Sequence, residues 1–532
     1  MREDFLFYII LVLIILMLVM LARRLRVAYP IVLVLGGLVL SLIPGMPELR
    51  IDPQLIFLIF LPPLLYESAW NTSWKELWRW RRIVTSFAFL IVILTSLVVA
   101  LVSSYLIPGF TLALGFLLGG ITSPPDAVSA STVMKYVKVP RAMASIVEGE
   151  SLLNDASSLI IFRFALIAVD TGHFVLHEAA LSFVVVIVMG IATGVLIGLL
   201  YFAIHRLLPT TPNIDIALTL TTPYVMYITA EHFHFSGVLA VVSGGLFLSH
   251  RSHLFLSQQS RLRNANVWSA LGFVFNGLVF MLIGLELRDI IHQLGAVSLQ
   301  TAIGYGLIIT GVLVVGRMLS TFGASAFTLL VNRLGIRTAQ ARPGWRAPLV
   351  FGWSGMRGVV SLAAALSIPL YLSDGSPFPQ RDLILFITFT VILLTLVVQG
   401  LTLPLVIRLA KLDDFDPGLP VSEQEVKIRG KLADMSVAYL QDKFGSQLQN
   451  NRALQRLKER FESDQFHDNH GGDAEQEEYR EVYLQVLDQQ RSLLHKMNRK
   501  AETDEALIRK QLSLLDIEEE RLRLRYDSGT TF

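Results

Sequence analysis

The 532-residue chain contains no cysteine, which excludes disulfides and thiolate metal sites, though it says little about compartment. No Gly-x-Gly-x-x-Gly follows a strand pattern, so a nucleotide-gated domain has no support. No small-residue cleavage site follows the first apolar run, Phe5 to Leu21; it leads into Arg23 and Arg24 and reads as a retained first span. Charge of one sign is not in excess. A net charge of +2 and a pI of about 8.6 average two unlike regions and point to no nucleic-acid partner. What is abundant is apolar sequence. Hydrophobic residues make up 53% of the chain and the mean hydropathy is +0.56, outside the range of soluble globular proteins. Long apolar runs fill residues 1 to about 410, and 411–532 is strongly charged. The expected division is a transmembrane domain, 1–410, and a charged helical cytoplasmic tail, 411–532.

A membrane-spanning helix needs about 20 apolar residues, fewer if it is broken. On that scale the spans fall at roughly 5–22, 27–44, 54–69, 83–107, 110–133, 143–169, 178–205, 214–231, 236–250, 267–286, 301–331, 347–370 and 382–408. Lys and Arg accumulate in cytoplasmic loops. Alternate loops here hold Arg23, Arg24 and Arg26; Lys75, Arg79, Arg81 and Arg82; Lys135, Lys138 and Arg141; Arg206; Arg251, Arg261 and Arg263; and Arg333, Arg337, Arg342 and Arg346. The other side holds Arg2, Arg50, Arg288 and Arg381, an asymmetry of eighteen to four. This predicts an N-terminus outside, a tail in the cytoplasm and a multi-pass protein of the cell's inner membrane.

Thirteen spans allow spans 1–6 and 8–13 to be halves of inverted topology, the arrangement in which transporters place broken helices at the midplane. Spans 5 and 12 then correspond, and both are interrupted: Thr122-Ser123-Pro124-Pro125-Asp126 in one, Gly352-Trp353-Ser354-Gly355-Met356-Arg357-Gly358 in the other. Paired prolines remove backbone donors and forbid a continuous helix. Bare backbone at membrane depth is tolerated only where protein or a watery cavity receives it. The fold class is therefore an all-α polytopic membrane protein with about 13 transmembrane helices in two inverted repeats, crossed broken helices and a mostly helical cytoplasmic tail.

Polar residues cluster at these interruptions. Asp155 lies in the apolar run Ile146–Val169, where a carboxylate costs about 2.5–3.5 kcal/mol even on the mildest insertion scale. Ser151, four residues earlier, shares its helix face, and Asn154 stands alongside. Asp126 follows the paired prolines, and Glu67 follows Leu61-Pro62-Pro63-Leu64-Leu65-Tyr66 near the cytoplasmic end of span 3. Oxygen ligands of this kind suit a hard cation such as Na+. The residues alone leave alternatives. Asp155 is an ion carrier or a structural partner of an arginine; Asp126 caps the second half-helix or touches the ion; Glu67 belongs to the site or snorkels to water. Arg163, Arg317 and Arg357 are the expected buried cations, with Glu150 as an available partner. Glu148, Glu231 and Glu286 read as span-end carboxylates. His232, His234, His173 and His177 gather on the outer side, a weak signal of pH sensing.

Together these residues resemble the monovalent cation/proton antiporter family, which contains bacterial NhaP-type proteins and animal Na+/H+ exchangers. The strings that carry the resemblance are Leu61-Pro62-Pro63-Leu64-Leu65-Tyr66-Glu67, Ser123-Pro124-Pro125-Asp126-Ala127-Val128 and Glu148-Gly149-Glu150-Ser151-Leu152-Leu153-Asn154-Asp155. Asn276-Gly277-Leu278 through Gly284-Leu285-Glu286, and Gly355-Met356-Arg357-Gly358, continue it in order over residues 1 to about 410. The resemblance implies a homodimer and an elevator-like movement of a six-helix core. It implies that Asp155 carries the ion and the proton, that Ser151 and Glu67 complete Na+ coordination, and that Asn154 orients the site. It further implies that Asp126 compensates dipoles where the broken helices cross, that Glu150 pairs with an arginine, for which Arg317 is chosen, and that Arg357 stabilises the second break. One departure stands out: many members have Thr-Asp-Pro where this chain has Pro125-Asp126-Ala127.

The function so implied is exchange of Na+, with Li+ or K+ as alternatives, for H+, serving pH and sodium homeostasis. Asn154, in place of a second Asp, points to one proton per cation and an electroneutral cycle. The chain reads as a transporter rather than an enzyme, without catalytic residues and without a cofactor beyond the transported Na+ and H+. A cation channel would use the same ligands but would not oblige proton movement. An intramembrane aspartyl protease using Asp126 and Asp155 lacks the Gly-x-Gly-Asp context and leaves Glu67, Ser151 and the arginines unexplained. In the tail, helical composition covers 421–464 and 474–526 around a linker, His467 to Gly472. Leu507, Leu514, Leu515 and Leu522 form an apolar stripe. Phe466-His467-Asp468-Asn469-His470 reads as a solvated loop in preference to a metal site.

Overall fold

The computed structural model describes residues 2–43, 53–137, 139–172, 176–292, 294, 297–333, 344–412, 421–448, 451–470, 473–498 and 505–526. Among these the regular elements are helices, with one isolated antiparallel bridge, Tyr371–Pro377. It divides into two compact units, Met1–Asp416 and Pro417–Phe532.

The first unit begins with α1 (Arg2–Leu25), α2 (Tyr29–Ser41), α3 (Pro53–Asn71) and the short α4 (Trp74–Arg79). The stretch Arg81–Leu106 contains α5 (Arg81–Thr85), a π-helical turn (Ser86–Ile91) and α6 (Val92–Leu106). Then come α7 (Leu112–Thr122), α8 (Ala127–Met134), α9 (Arg141–Thr171), α10 (Leu176–Leu207), α11 (Pro212–His232), α12 (Gly237–Phe255), α13 (Gln258–Leu285) and α14 (Leu287–His292). The unit continues through α15 (Leu299–Arg333), α16 (Arg346–Trp353) and α17 (Val359–Leu366). It closes with Arg381–Ala410, made of α18 (Arg381–Leu394), a π-helical turn (Thr395–Gln399) and α19 (Gly400–Ala410). Six helices among the described residues are long and apolar enough to cross a membrane by length and composition. Their number and length are those of a multi-pass membrane protein.

Local chemistry sets the helix limits. Thr111, Ser236 and Ser257 each cap a helix N-terminus with a side-chain oxygen on a backbone N–H, at 3.1–3.2 Å. Gly172 ends α9 in the left-handed region, at φ +69°. Where hydrophobicity cannot select one apolar helix over another, small residues let backbones interlock. Gly115 and Gly119 of α7 lie on Ala100 and Ser96 of α6, so closely that a Cβ at Gly115 would stand 2.7 Å from the Ala100 Cα.

Two apolar clusters organise the unit. One gathers buried residues of α1, α2, α7, α15 and α17–α19; the other gathers those of α3 and α10–α12. Helix α9 stands at their seam, with Ile146 and Ala165 in the first and Leu152 and Ala156 in the second. A buried polar network ties α10, α11 and α13. The Asp215 carboxylate pairs with His205 Nδ1 at 2.9 Å and accepts the Ser260 hydroxyl at 2.7 Å, and the Thr219 hydroxyl donates to Asn264 at 2.8 Å.

The second unit departs from its expected two helices. Among the described residues four are present: α20 (Val421–Leu448), α21 (Arg452–His470), α22 (Asp473–Asn498) and α23 (Glu505–Tyr526). The expected loop Phe466–His470 is the last turn of α21, because nothing in that polar stretch breaks a helix. The apolar stripe also moves. Leu507 and Leu514 are exposed, while Ile508, Leu515 and Leu522, seven residues apart, form the buried or half-buried row. Arg491 of α22 bridges to Asp516 at 2.9 Å and Glu519 at 2.5 Å on α23.

Candidate functional site

The two interruptions meet. Pro124 and Pro125 carry no N–H, so α7 stops at Thr122 and the chain restarts at Ala127. The backbone N–H of Asp126 donates to the Met356 carbonyl across the crossing, at 2.6 Å. The Asp126 carboxylate caps α8 by accepting from the N–H groups of Val128 (3.1 Å) and Ser129 (3.2 Å) and the Ser129 hydroxyl (2.5 Å). It also lies directly against Gly358, the residue that precedes α17; a Cβ there would overlap it. One negative charge therefore serves the N-terminal ends of two half-helices.

Arg357 is the mirror of this arrangement. It is fully buried, its Nε donates to the carbonyl of Thr122, the last residue of α7, at 2.9 Å, and its Nη1 donates to the Gly355 carbonyl just beyond α16. Its backbone N–H is received by the Thr395 hydroxyl at 3.1 Å, inside the second π-helical turn. Anions are favoured at helix N-termini and cations at C-termini, by about 1–2 kcal/mol each in buried settings. Four helix ends at the crossing are thus matched by two side chains.

Helix α9 runs alongside. The Ser151 hydroxyl accepts the Ala127 N–H at 3.2 Å, and the Asn154 amide donates to the Pro125 carbonyl at 3.3 Å. The departure in sequence has a consequence here: a proline at 127 would have no N–H, so Ala127 adds a donor that occupies one lone pair of Ser151. Asn154 is sealed from solvent, whereas Asp155 keeps 8% exposure. Asp155 lies within Coulombic reach of Asp126. The Ser158 hydroxyl bonds the Asp155 backbone carbonyl at 3.0 Å, but among the described residues no donor is paired with the Asp155 carboxylate.

Glu67 stands apart from this knot. It is half-buried, and its carboxylate occupies the space where α13 has no side chain, at Gly272; a Cβ on Gly272 would coincide with it. Lys135, at the end of α8, is the cation within Coulombic reach of it, and no hydrogen bond among the described residues joins Glu67 to Asp155 or Ser151. Glu150 pairs with Arg317 in a two-pronged ion pair at 2.8 and 3.0 Å, both side chains buried, and Arg317 also donates to the Phe351 carbonyl at 3.3 Å.

One expectation needs correction. Arg163 is not a buried cation: its side chain is 36% exposed and reaches the α11–α12 turn, where it meets His234 Nδ1 at 3.1 Å and Glu231 at 3.9 Å. Of the outer histidines, His173 and the His177 side chain lie outside the described residues. Among the described residues no three His, Cys, Asp or Glu side chains gather to hold a metal. Gly272 is the site residue that sequence reasoning missed. Nothing marks it among 37 glycines until the packing of α3 on α13 is known.

On a loop outside the helices, Asp374 accepts the Ser376 N–H (2.8 Å) and hydroxyl (2.7 Å). These bonds hold its carboxyl below the usual range.

Residues 9–409 match the family described as sodium/hydrogen exchanger, transmembrane. The chain is similar to the sodium, potassium, lithium and rubidium/H+ antiporter of Bacillus pumilus, 35% identical over 388 residues, which are 71% of this chain and 57% of that protein. It is similar also to the low-affinity Na+/H+ antiporter NhaS1 of Synechocystis, 33% identical over 387 residues, 72% of this chain and 69% of that one. In structure it is similar to the sodium proton antiporter MjNhaP1 of Methanocaldococcus jannaschii, with a TM-score of 0.60 at 18% identity, covering 76% of this chain and 98% of the other. At that identity the likeness shows the fold. The match spans little more than half the length of the Bacillus relative.

Proposed function

We propose that this chain, which belongs to the transmembrane sodium/hydrogen exchanger family, exchanges a monovalent cation for H+ across the membrane by competition at the Asp155 carboxylate. The observation that carries this is the contrast on one turn of α9. The Asp126 carboxylate is held by three donors, Glu150 is paired with Arg317 and the Asn154 amide N–H is tied to the Pro125 carbonyl, whereas the Asp155 carboxylate has no donor among the described residues. A carboxylate at that depth needs a positive partner that can leave. A proton or a cation serves, and each excludes the other. Ser151 and Glu67 supply the further oxygens, and the uncharged Asn154, tied to the break, leaves one exchangeable charge and so an electroneutral one-for-one cycle.

The architecture that goes with this reading has thirteen crossings. They are α1, α2, α3, Arg81–Leu106, the pair α7–α8, α9 to α12, α13 with α14, α15, the pair α16–α17, and Arg381–Ala410. The two interrupted pairs meeting back to back support inverted halves. The loop charges support a tail, 411–532, in the cytoplasm, and the chain assembles as a homodimer of the inner membrane. Sodium is the leading ion; the name of the Bacillus relative, which includes potassium, lithium and rubidium, keeps those ions in the test.

The experiment is an everted-vesicle assay with the membrane potential clamped. Na+, Li+ or K+ added outside should collapse an imposed pH gradient. Cation flux without proton movement would instead make the chain a channel.

A further inference from the structure

We propose that α4 and its basic flanks form a docking surface for anionic phospholipid headgroups, seated directly on the helix that carries Asp155. The helix has two unlike faces. Leu77 points inward and packs on α9 at Gly149, where a Cβ would stand 2.9 Å from the Leu77 Cδ1. Gly149 adjoins Glu150 and lies two residues before Ser151. The outward face carries Trp74 and Trp78, 43% and 58% exposed, with rings stacked 5.9 Å apart at 21°.

Positive charge surrounds these two indoles. The Arg81 guanidinium lies 4.8 Å over the Trp78 ring and donates to the Trp78 carbonyl at 2.7 Å, while Lys75 and Arg82 are exposed. From α12, the His250 ring stands 6.4 Å from Trp74. The acid within α4, Glu76, is already engaged: it accepts the Trp80 indole N–H at 3.1 Å and lies 3.8 Å from Arg79.

Exposed indoles prefer the headgroup level, where the ring is apolar and the N–H finds an acceptor. A zwitterionic surface would satisfy the rings but not the uncompensated positive charge. Each Lys or Arg near an anionic leaflet adds about fivefold to affinity. Lipid held there presses Leu77 against Gly149 and so braces the segment of α9 that presents Glu150 and Ser151. The inference rests on the proposed function only in setting α4 at the cytoplasmic leaflet; the binding itself requires no exchange.

The test uses the full chain in vesicles containing brominated lipid, which quenches nearby tryptophan emission. The quenched signal is assigned by difference from Trp74→Phe/Trp78→Phe. Brominated phosphatidylglycerol should quench these two indoles at a mole fraction several-fold lower than brominated phosphatidylcholine does. Lys75→Gln/Arg81→Gln/Arg82→Gln should erase that preference, and Arg81→Lys should retain most of it. Equal quenching by both lipids, or none by either as for a surface covered by protein, would overturn the proposal. So would a triple variant that keeps the anionic preference. A second readout separates this from the function itself. Cation-driven proton movement in the parent should rise several-fold as phosphatidylglycerol replaces phosphatidylcholine, and the triple variant should stay at the parent's phosphatidylcholine rate. Quenching without exchange would sink the transport reading and leave the lipid site standing.

Discussion

The helix crossing and the adjacent turn of α9 treat negative charge in opposite ways. At the crossing, Asp126 is held by three donors and lies against the start of a second half-helix. On α9, Asp155 has no protein donor among the described residues. In the proposed exchange the first carboxylate stays fixed on the helix ends it balances, and the second is left for partners that come and go. A carboxylate saturated by backbone is a poor carrier, since a cation must displace bonds the protein needs. An unsaturated one is expensive to keep unless something mobile offsets it.

That contrast breaks most sharply at Asp155. Asp155→Asn should abolish cation-driven proton movement while the protein still inserts and purifies normally, which vesicle transport beside size-exclusion profiles will show. Next in size is the Glu150–Arg317 pair. Removing either partner leaves a buried unpaired charge and should cost about 3–5 kcal/mol in thermal or denaturant unfolding, whereas Glu150→Leu with Arg317→Met should cost less than either alone. Asp126→Asn keeps a capping oxygen but loses the charge between two N-termini. It should cost about 1–2 kcal/mol of stability and leave exchange detectable, in contrast to Asp155→Asn. If Asp126→Asn also abolishes exchange in a stable protein, the two carboxylates share one role.

Gly272→Ala is smaller and more selective. The new methyl would displace the Glu67 carboxylate, raising the half-saturating cation concentration by about tenfold with little loss of maximal rate. Smallest is the exposed Asp374 turn. Its carboxyl titrates below the usual range, so the turn's contribution is present at neutral pH and is lost only as acid takes the pH down through the folded value. Hydrogen exchange at the Ser376 N–H should accelerate only there.

Much of the membrane unit was written in its sequence because lipid imposes one rule: apolar runs must be helical and breaks must be received by protein. Pro124-Pro125 and the glycines around Arg357 mark the breaks for that reason. What faces a break is less legible. Arg163, Arg317 and Arg357 look alike in sequence, yet one meets a surface turn, one meets Glu150 and one meets two helix ends. Gly272 was invisible because an absent side chain has meaning only beside the group that fills its place. The second π-helical turn, which brings Thr395 to the Arg357 backbone, also follows from packing rather than propensity. The tail was least legible. In water several polar patterns are compatible with one helix, so its breaks and the face through Ile508, Leu515 and Leu522 are set by tertiary contact.

Competition at a single carboxylate is tested most directly by measuring the half-saturating Na+ concentration against pH in proteoliposomes at clamped potential. The account predicts that acidification raises it, approaching about tenfold per pH unit once Asp155 is mostly protonated. The maximal rate at saturating Na+ should stay nearly constant. A half-saturating concentration independent of pH, with the maximal rate falling instead, would show that proton and cation do not compete for Asp155.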